Sequence, residues 1–267
     1  MEDSDLTTQE DFWSAHPCGI DAPLAERRRH RHIIEPWLPA YLKSLANGGR
    51  LDCLEVGCGQ GTDAIEICRH LAPGSSYHGI DFSPESIAVS ERSLREEVPP
   101  EMLNTVPQFA TGDALDLDFP DDRFDRVFSL GVLHHTPDPA AAVREVHRVL
   151  KPGGTCHVFL YRTFSAKVGV AKILRGVQRA SDVLTRRERS IYAMFLEKRS
   201  ALPGLGTMLH ECFGVPHMYS YTRPQVTELF APFASCEVIP FGYNLPSRRP
   251  RSGHNSLGNF WNITATK

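Results

Sequence analysis

The chain has 267 residues, of which 41% are hydrophobic and 23% charged, with a formal net charge of −3. Such a length excludes a minimal domain and suits one large α/β domain or a core with an attached cap. A balance so near zero excludes bulk attraction to nucleic acid or membrane, and no apolar run reaches the ~18 residues of a bilayer span.

Residues 1–47 read as a helical lead-in. The acidic opening "MEDSDLTTQEDFW" lacks the basic-then-apolar pattern of a secretory signal. Cys18, Cys53, Cys58, Cys68, Cys156, Cys212 and Cys236 are scattered and never spaced C-x-x-C, which predicts reduced thiols in a cytoplasmic protein. Within the lead-in, "FWSAHPCG" places Trp13, His16 and Cys18 in an arm that either packs on the core or folds over a site as a lid.

From Leu51 to Phe159 short apolar runs alternate with helical patterns, which predicts a parallel sheet with crossover helices. "LDCLEV" is the first strand, followed by a glycine turn and a helix over 62–71. "SSYHGI" ends at Asp81, and Ser83 with Pro84 opens the next helix. "PQFATGD" ends at Asp113, and an acidic loop leads to the fourth strand, "FDRVFSL". Asp138 and Pro139 start another helix, which "KPGG" ends before a fifth strand, "TCHVFLY".

From Arg162 to about Val215 the strand pattern stops. Between Arg162 and Arg199 ten Lys/Arg stand against three Asp/Glu, a local balance of +7. Two helices are expected, near 165–184 and 186–200. This basic insertion reads as a cap with a solvated face, a membrane-surface helix or a docking face for an acidic partner. The sheet pattern resumes with a capped helix over 222–233, then "SCEVIP" and "NFWNITATK".

"LEVGCGQGT" sets Gly57, Gly59 and Gly61 between a buried strand and a helix. Alone this can be a tight turn. Its spacing is G-x-G-x-G, whereas a dinucleotide fingerprint reads G-x-G-x-x-G. Asp81 follows about 20 residues on, where a carboxylate can accept both hydroxyls of a ribose. Phe82 can cover an adenine face, and Asp113 in "TGDA" can receive an adenine amino group. Each acid alone reads as an N-cap or surface carboxylate. The ordered set, at the carboxyl ends of parallel strands, reads as a ligand site.

"LEVGCGQGT", "GIDFSPESIAVS" and "TGDALDLDFPDDRFDRVFSLGVLHHTPDPAAAVREVHRVLKPGG" together resemble the class I S-adenosylmethionine-dependent methyltransferases. The similarity is greatest to the branch with ubiquinone/menaquinone-biosynthesis and natural-product enzymes. It covers roughly residues 50–160, is weak at 161–215 and becomes looser at 219–267. The resemblance implies a doubly wound, seven-stranded, mostly parallel sheet with a reversed final hairpin, an α/β Rossmann-like methyltransferase fold. The expected organisation is an N-terminal helical lid (1–47), a cofactor-binding core (48–160), a helical cap insertion (161–218) and the C-terminal part of the core sheet (219–267). S-adenosylmethionine would lie over Gly57, Cys58, Gly59 and Gly61, with Glu55 matching the family's first motif. Its ribose would meet Asp81, its adenine Phe82, Asp113 and Ala114, and its methionine end Leu130 and Gly131. S-adenosylhomocysteine would be the product.

Methyl transfer needs alignment and a dry cavity, and a base only where the acceptor must lose a proton. His134 and His135 follow the fourth strand, and either an acceptor-facing base or a structural role fits them. Tyr161 can orient a substrate or be the last packed residue of its strand. Arg27–Arg31 form either a partner for the cofactor's carboxylate or a solvated helix face. "LHECFGVPHMYSYT" holds His210, Cys212 and His217 without a fourth ligand, so no metal is expected, and Tyr219 and Tyr221 read as acceptor-pocket lining.

The expected activity is methyl transfer to O or N, and less to C, of a small or medium-sized organic acceptor in secondary metabolism. A peptide or a lipophilic, quinone-like acceptor is the alternative, with no nucleic-acid partner. A nucleotide-dependent oxidoreductase and a non-catalytic S-adenosylmethionine-binding scaffold are the competing classes.

Overall fold

Along each central strand, alternate side chains go to opposite faces, and both faces are buried. In β5 (Leu150–Tyr161), Cys156, Val158 and Leu160 join one core cluster while Phe159 and Tyr161 join the other. The computed structural model describes residues 12–13, 22–186, 191, 215–242 and 253–267. Apart from residues 186 and 191, the second helix expected in the insertion lies outside the described residues, as do His16, Cys18, His210 and Cys212.

The other strands are β1 (Asp52–Val56), β2 (Ser76–Asp81), β3 (Gln108–Thr111), β4 (Phe124–Leu130), β6 (Ser235–Phe241) and β7 (Phe260–Thr266). All seven form one sheet in the order β3-β2-β1-β4-β5-β7-β6. β7 runs antiparallel to β5 and β6, and the other pairings are parallel. This is the α/β topology expected from the sequence.

The described helices are α1 (Leu24–Ile34), α2 (Leu38–Leu45), α3 (Thr62–Cys68), α4 (Pro84–Glu97), α5 (Pro139–Val149), α6 (Ala166–Thr185) and α7 (Arg223–Leu229). Their starts follow the cap chemistry of the sequence. Ser83 Oγ accepts from the Ser86 amide at 3.1 Å, and Asp138 Oδ1 from the Ala141 amide at 2.9 Å. Gln225 Oε1 accepts from both the amide and the hydroxyl of Thr222 at 2.8 Å. One boundary differs from expectation. β5 begins at Leu150, directly after α5, because Leu150 already pairs with Phe124 before the register shifts ahead of Arg126.

One core cluster packs α5 (Ala142, Val143, Val146, Val149) and Val226 of α7 against the sheet. The other packs α2 (Leu38, Leu42, Leu45) and α3 (Ala64, Ile67, Cys68) against the opposite face. The segment before β1 therefore contributes to the same core as the sheet. Leu42 is fully buried. Leu42→Ala is expected to cost about 2–5 kcal/mol in urea denaturation, as for a core truncation that leaves a cavity.

Candidate active site

β1, β2, β3 and β4 run parallel and end on the same edge, and the strand order reverses between β1 and β4. A crevice at such a switch point is where open α/β sheets take ligands. The loop after β1 is tied to the end of β2. The amides of Gly57 and Cys58 both donate to the Ile80 carbonyl, at 2.8 and 2.9 Å. The Gly59 amide donates to Asp81 Oδ2 at 2.8 Å, and the Ser83 amide donates to Asp81 Oδ1 at 3.0 Å. Ser90 of α4 donates to the Gly59 carbonyl at 2.9 Å. The Gly112 amide donates to the Asp81 carbonyl at 3.0 Å, which brings Asp113 and Ala114 alongside. Asp113 Oδ1 accepts from the Leu115 amide at 2.9 Å.

The glycines are not equivalent. Gly57 has φ +82°, and a Cβ there would lie 2.3 Å from Val132 Cγ2, so a side chain is excluded by both backbone and neighbour. At Gly59 and Gly131 an added Cβ would meet nothing within 4 Å. The space at Gly59 adjoins the fixed Asp81 carboxylate, and that at Gly131 lies at the end of β4, beyond β1. Phe82 and Leu130, at the ends of β2 and β4, are half-buried. Burial raises the pKa of Asp81, while the amides of Ser83, Gly59 and Phe82 oppose the rise.

Glu55 has a different setting. It is enclosed, and its carboxyl accepts the Tyr77 hydroxyl at 2.8 Å. Burial first and the Asp63 carboxylate second push its pKa up to about 8.

Two residues of the arginine run turn inward, while Arg29 is exposed. The Arg27 guanidinium is buried and donates to Ser93 Oγ at 2.8 Å and to the Ala22 carbonyl at 2.7 Å. Arg31 grips Asp63 with two nitrogens, at 2.9 and 2.7 Å. These clasps hold α1 against α3 and α4, and the solvated-face expectation for the run is corrected at both residues.

A second group of side chains follows β4 and β5. Leu133–His135 form a single 3-10 turn, so two successive residues both point inward. The His134 ring lies 4.3 Å from the His135 ring and 4.0 Å from the Tyr161 ring, centre to centre. His134 is fully buried, and neither ring nitrogen has a hydrogen-bond partner among the described residues. Burial first, then the His135 and Lys167 charges, hold its pKa well below the imidazole range, against an opposing contribution from the Phe159 peptide.

His135 Nδ1 lies 2.9 Å from the His217 carbonyl. A carbonyl can only accept, so Nδ1 carries the proton and Nε2 keeps the lone pair of the neutral ring. Trp13 stands edge-on to His135, with ring centres 5.5 Å apart. Lys167 of α6, which the sequence reading did not single out, donates to the Tyr161 hydroxyl at 3.0 Å. Tyr219 and Tyr221 reach the group through their backbones, donating to the carbonyls of His134 and Tyr161 at 2.9 Å. Among the described residues no group of three or more His, Cys, Asp or Glu side chains could hold a metal ion.

An acid whose native pKa exceeds its unfolded value favours folding at low pH and loses that contribution as pH climbs through the native pKa. For Glu55 the window runs from the ordinary 4.5 to about 8. Stability is therefore expected to fall across that window, and Glu55→Gln is expected to flatten the fall in urea midpoints measured at its two ends.

Residues 54–158 match the family model described as a methyltransferase domain (Methyltransf_11). The demethylmenaquinone methyltransferase of Staphylococcus carnosus is 34% identical over 118 residues, covering 44% of this chain and 46% of the relative. The fatty-acid O-methyltransferase of Mycolicibacterium smegmatis is 35% identical over 146 residues, covering 54% and 47%. The chain thus spans about half the length of the curated relatives it matches. Magnesium protoporphyrin IX methyltransferase from Synechocystis, solved with bound SAH, aligns with a TM-score of 0.57 at 14% identity, over 98% of this chain and 100% of that one, a likeness of fold. The central segment of the chain thus matches a methyltransferase domain, within a fold shared with a solved methyltransferase.

Proposed function

We propose that the protein transfers a methyl group from S-adenosylmethionine to an oxygen or nitrogen of a small or medium-sized organic acceptor, leaving S-adenosylhomocysteine. The observation that carries this reading is the Asp81 carboxylate. Two backbone amides aim it, and open space adjoins it at Gly59.

In this reading Asp81 holds the ribose hydroxyls, Gly57–Gly61 approach the ligand backbone-first, and Phe82, Asp113 and Ala114 enclose the adenine. Leu130 and Gly131 border the methionine end. Glu55, whose carboxyl is enclosed with Tyr77, supports the loop from beneath. The sulfonium supplies an already activated methyl group, so the chain's task is alignment and exclusion of water.

For a hydroxyl or ammonium acceptor a base is required as well. His135 is the better of the two histidines. Its proton is fixed on Nδ1 by the His217 carbonyl, so Nε2 is the atom that takes a proton. His134 stays neutral in its apolar enclosure and shapes the wall behind His135 and Tyr161. The Lys167 ammonium, bonded to the Tyr161 hydroxyl, orients that phenol. A lipophilic acceptor is the second reading, favoured by the relatives named for menaquinone and fatty acids and by the aromatic neighbours Trp13 and Phe260.

Two experiments test this. Asp81→Ala is expected to weaken S-adenosylhomocysteine binding about 100-fold in calorimetry, the worth of two hydrogen bonds to a charged group. Unchanged affinity would remove the assignment of the site. His135→Ala is expected to lower kcat by roughly 10²–10⁴ at unchanged S-adenosylhomocysteine affinity, the usual range for loss of a general base. His134→Leu is expected to keep most of the turnover, and the reverse pattern would transfer the base to His134. A scaffold without catalysis would bind S-adenosylmethionine and release no S-adenosylhomocysteine with any acceptor.

A further inference from the structure

Helix α6 is two-faced in an unusual way. Ser165 caps it, accepting from the Val168 amide at 3.3 Å. Val168, Ala171 and Gln178 are buried on its inner side, where Phe12 and Val215 join Ala171 in a small cluster. On the outer side Val170, Ile173, Val177 and Leu184 recur at intervals of three, four and seven residues, which places them on one stripe. They are 47%, 67%, 52% and 83% exposed. Ala166 and Ala180 continue the stripe, and Phe164, just before the cap, is 74% exposed.

The charges on this helix are sorted as well. Lys172 and Arg179 are exposed and seven residues apart, so they run parallel to the apolar stripe along one rim, and exposed Arg186 follows the last turn. The only acid of the helix, Asp182, is engaged by Gln178, which donates to its Oδ1. The outward arc therefore offers branched apolar side chains and cations, with no anion. A protein-facing or solvent-facing helix ordinarily mixes both signs, because water and partner surfaces carry both. A surface that is apolar at its centre and solely cationic at its rim is complementary to an anionic bilayer, with headgroups meeting the cations and acyl chains meeting the stripe.

We propose that the outer face of α6 docks the protein flat on an anionic lipid surface. No helix among the described residues is long and apolar enough to cross a membrane, so the helix lies on the surface. The attraction is local, since the whole chain carries −3. Resting on the methyltransferase reading, one consequence follows. The first turn of α6 carries Lys167, bonded to Tyr161, so docking brings the acceptor side of the site next to the bilayer and favours an acceptor dissolved in lipid.

The test is co-sedimentation with vesicles of phosphatidylglycerol and phosphatidylcholine in equal parts, against vesicles of phosphatidylcholine alone, without cofactor or acceptor. Binding is thus judged apart from methyl transfer. The wild-type chain is expected to bind the anionic vesicles and to release them at high salt. Lys172→Gln with Arg179→Gln is expected to weaken partition about 25-fold, roughly fivefold for each cation near the surface. Ile173→Glu with Val177→Glu, at exposed positions that leave the fold intact by circular dichroism, is expected to abolish it. Absence of binding to anionic vesicles, equal binding to both vesicle types, or indifference to these substitutions would overturn the proposal. So would self-association that Ile173→Glu dissolves while vesicles are ignored.

Discussion

The hydrogen bond from the Gly59 amide to the Asp81 carboxylate is the constraint on which the site depends. A glycine loop after a strand is free to take many shapes, and conformational entropy favours that freedom. Here a charge-assisted bond, among the stronger kinds in a protein, fixes the middle of the loop to the end of the neighbouring strand. The Ile80 carbonyl takes two further amides of the same loop, and the Asp81 carbonyl takes the Gly112 amide. Three strand ends are thereby locked together before any ligand arrives. A ligand that binds there loses little affinity to ordering the protein.

The part of the crevice at β4 and β5 is built on another plan. The segment at 215–221 runs past the ends of β4 and β5 and bonds both through its backbone. The Tyr219 amide reaches the His134 carbonyl, the Tyr221 amide reaches the Tyr161 carbonyl, and the Tyr221 carbonyl takes the Thr163 amide and Trp261 Nε1. Backbone bonds position without dictating side chains. One half of the crevice is thus set by a glycine loop and an acid, while the other is framed by a segment whose side chains can change without disturbing its hydrogen bonds.

How much of this was legible in the sequence follows from the range of each interaction. Strand alternation in "TCHVFLY" and caps such as Ser83–Pro84 and Asp138–Pro139 act over a few residues, so the element order and the sheet could be read directly. The glycine loop and Asp81 were legible because both close a strand at recognisable spacing. The burial of Arg27 was not legible, because its partner Ser93 lies 66 residues away. The tautomer of His135 depends on a carbonyl 82 residues distant. The bond from Lys167 to Tyr161 spans only six residues, but it crosses from strand to helix through a turn whose path local pattern does not give.

Burial raises the pKa of both Glu55 and Asp81, but their surroundings oppose the rise differently. Both are acids towards the ends of adjacent parallel strands, and the Asp81 charge adds slightly to the rise at Glu55. Asp81 receives peptide N–H groups, which stabilise negative charge. Glu55 receives one phenol in a closed apolar setting, which does so far less, so Glu55 keeps its proton near neutral pH. The amides of Gly59 and Ser83 thus favour the charge at Asp81, at the end of β2, while the enclosed Glu55 accepts one phenol as a neutral acid. The two carboxyls so divide the work at this edge of the sheet: one is aimed by the backbone into the crevice, and the other stays inside the core.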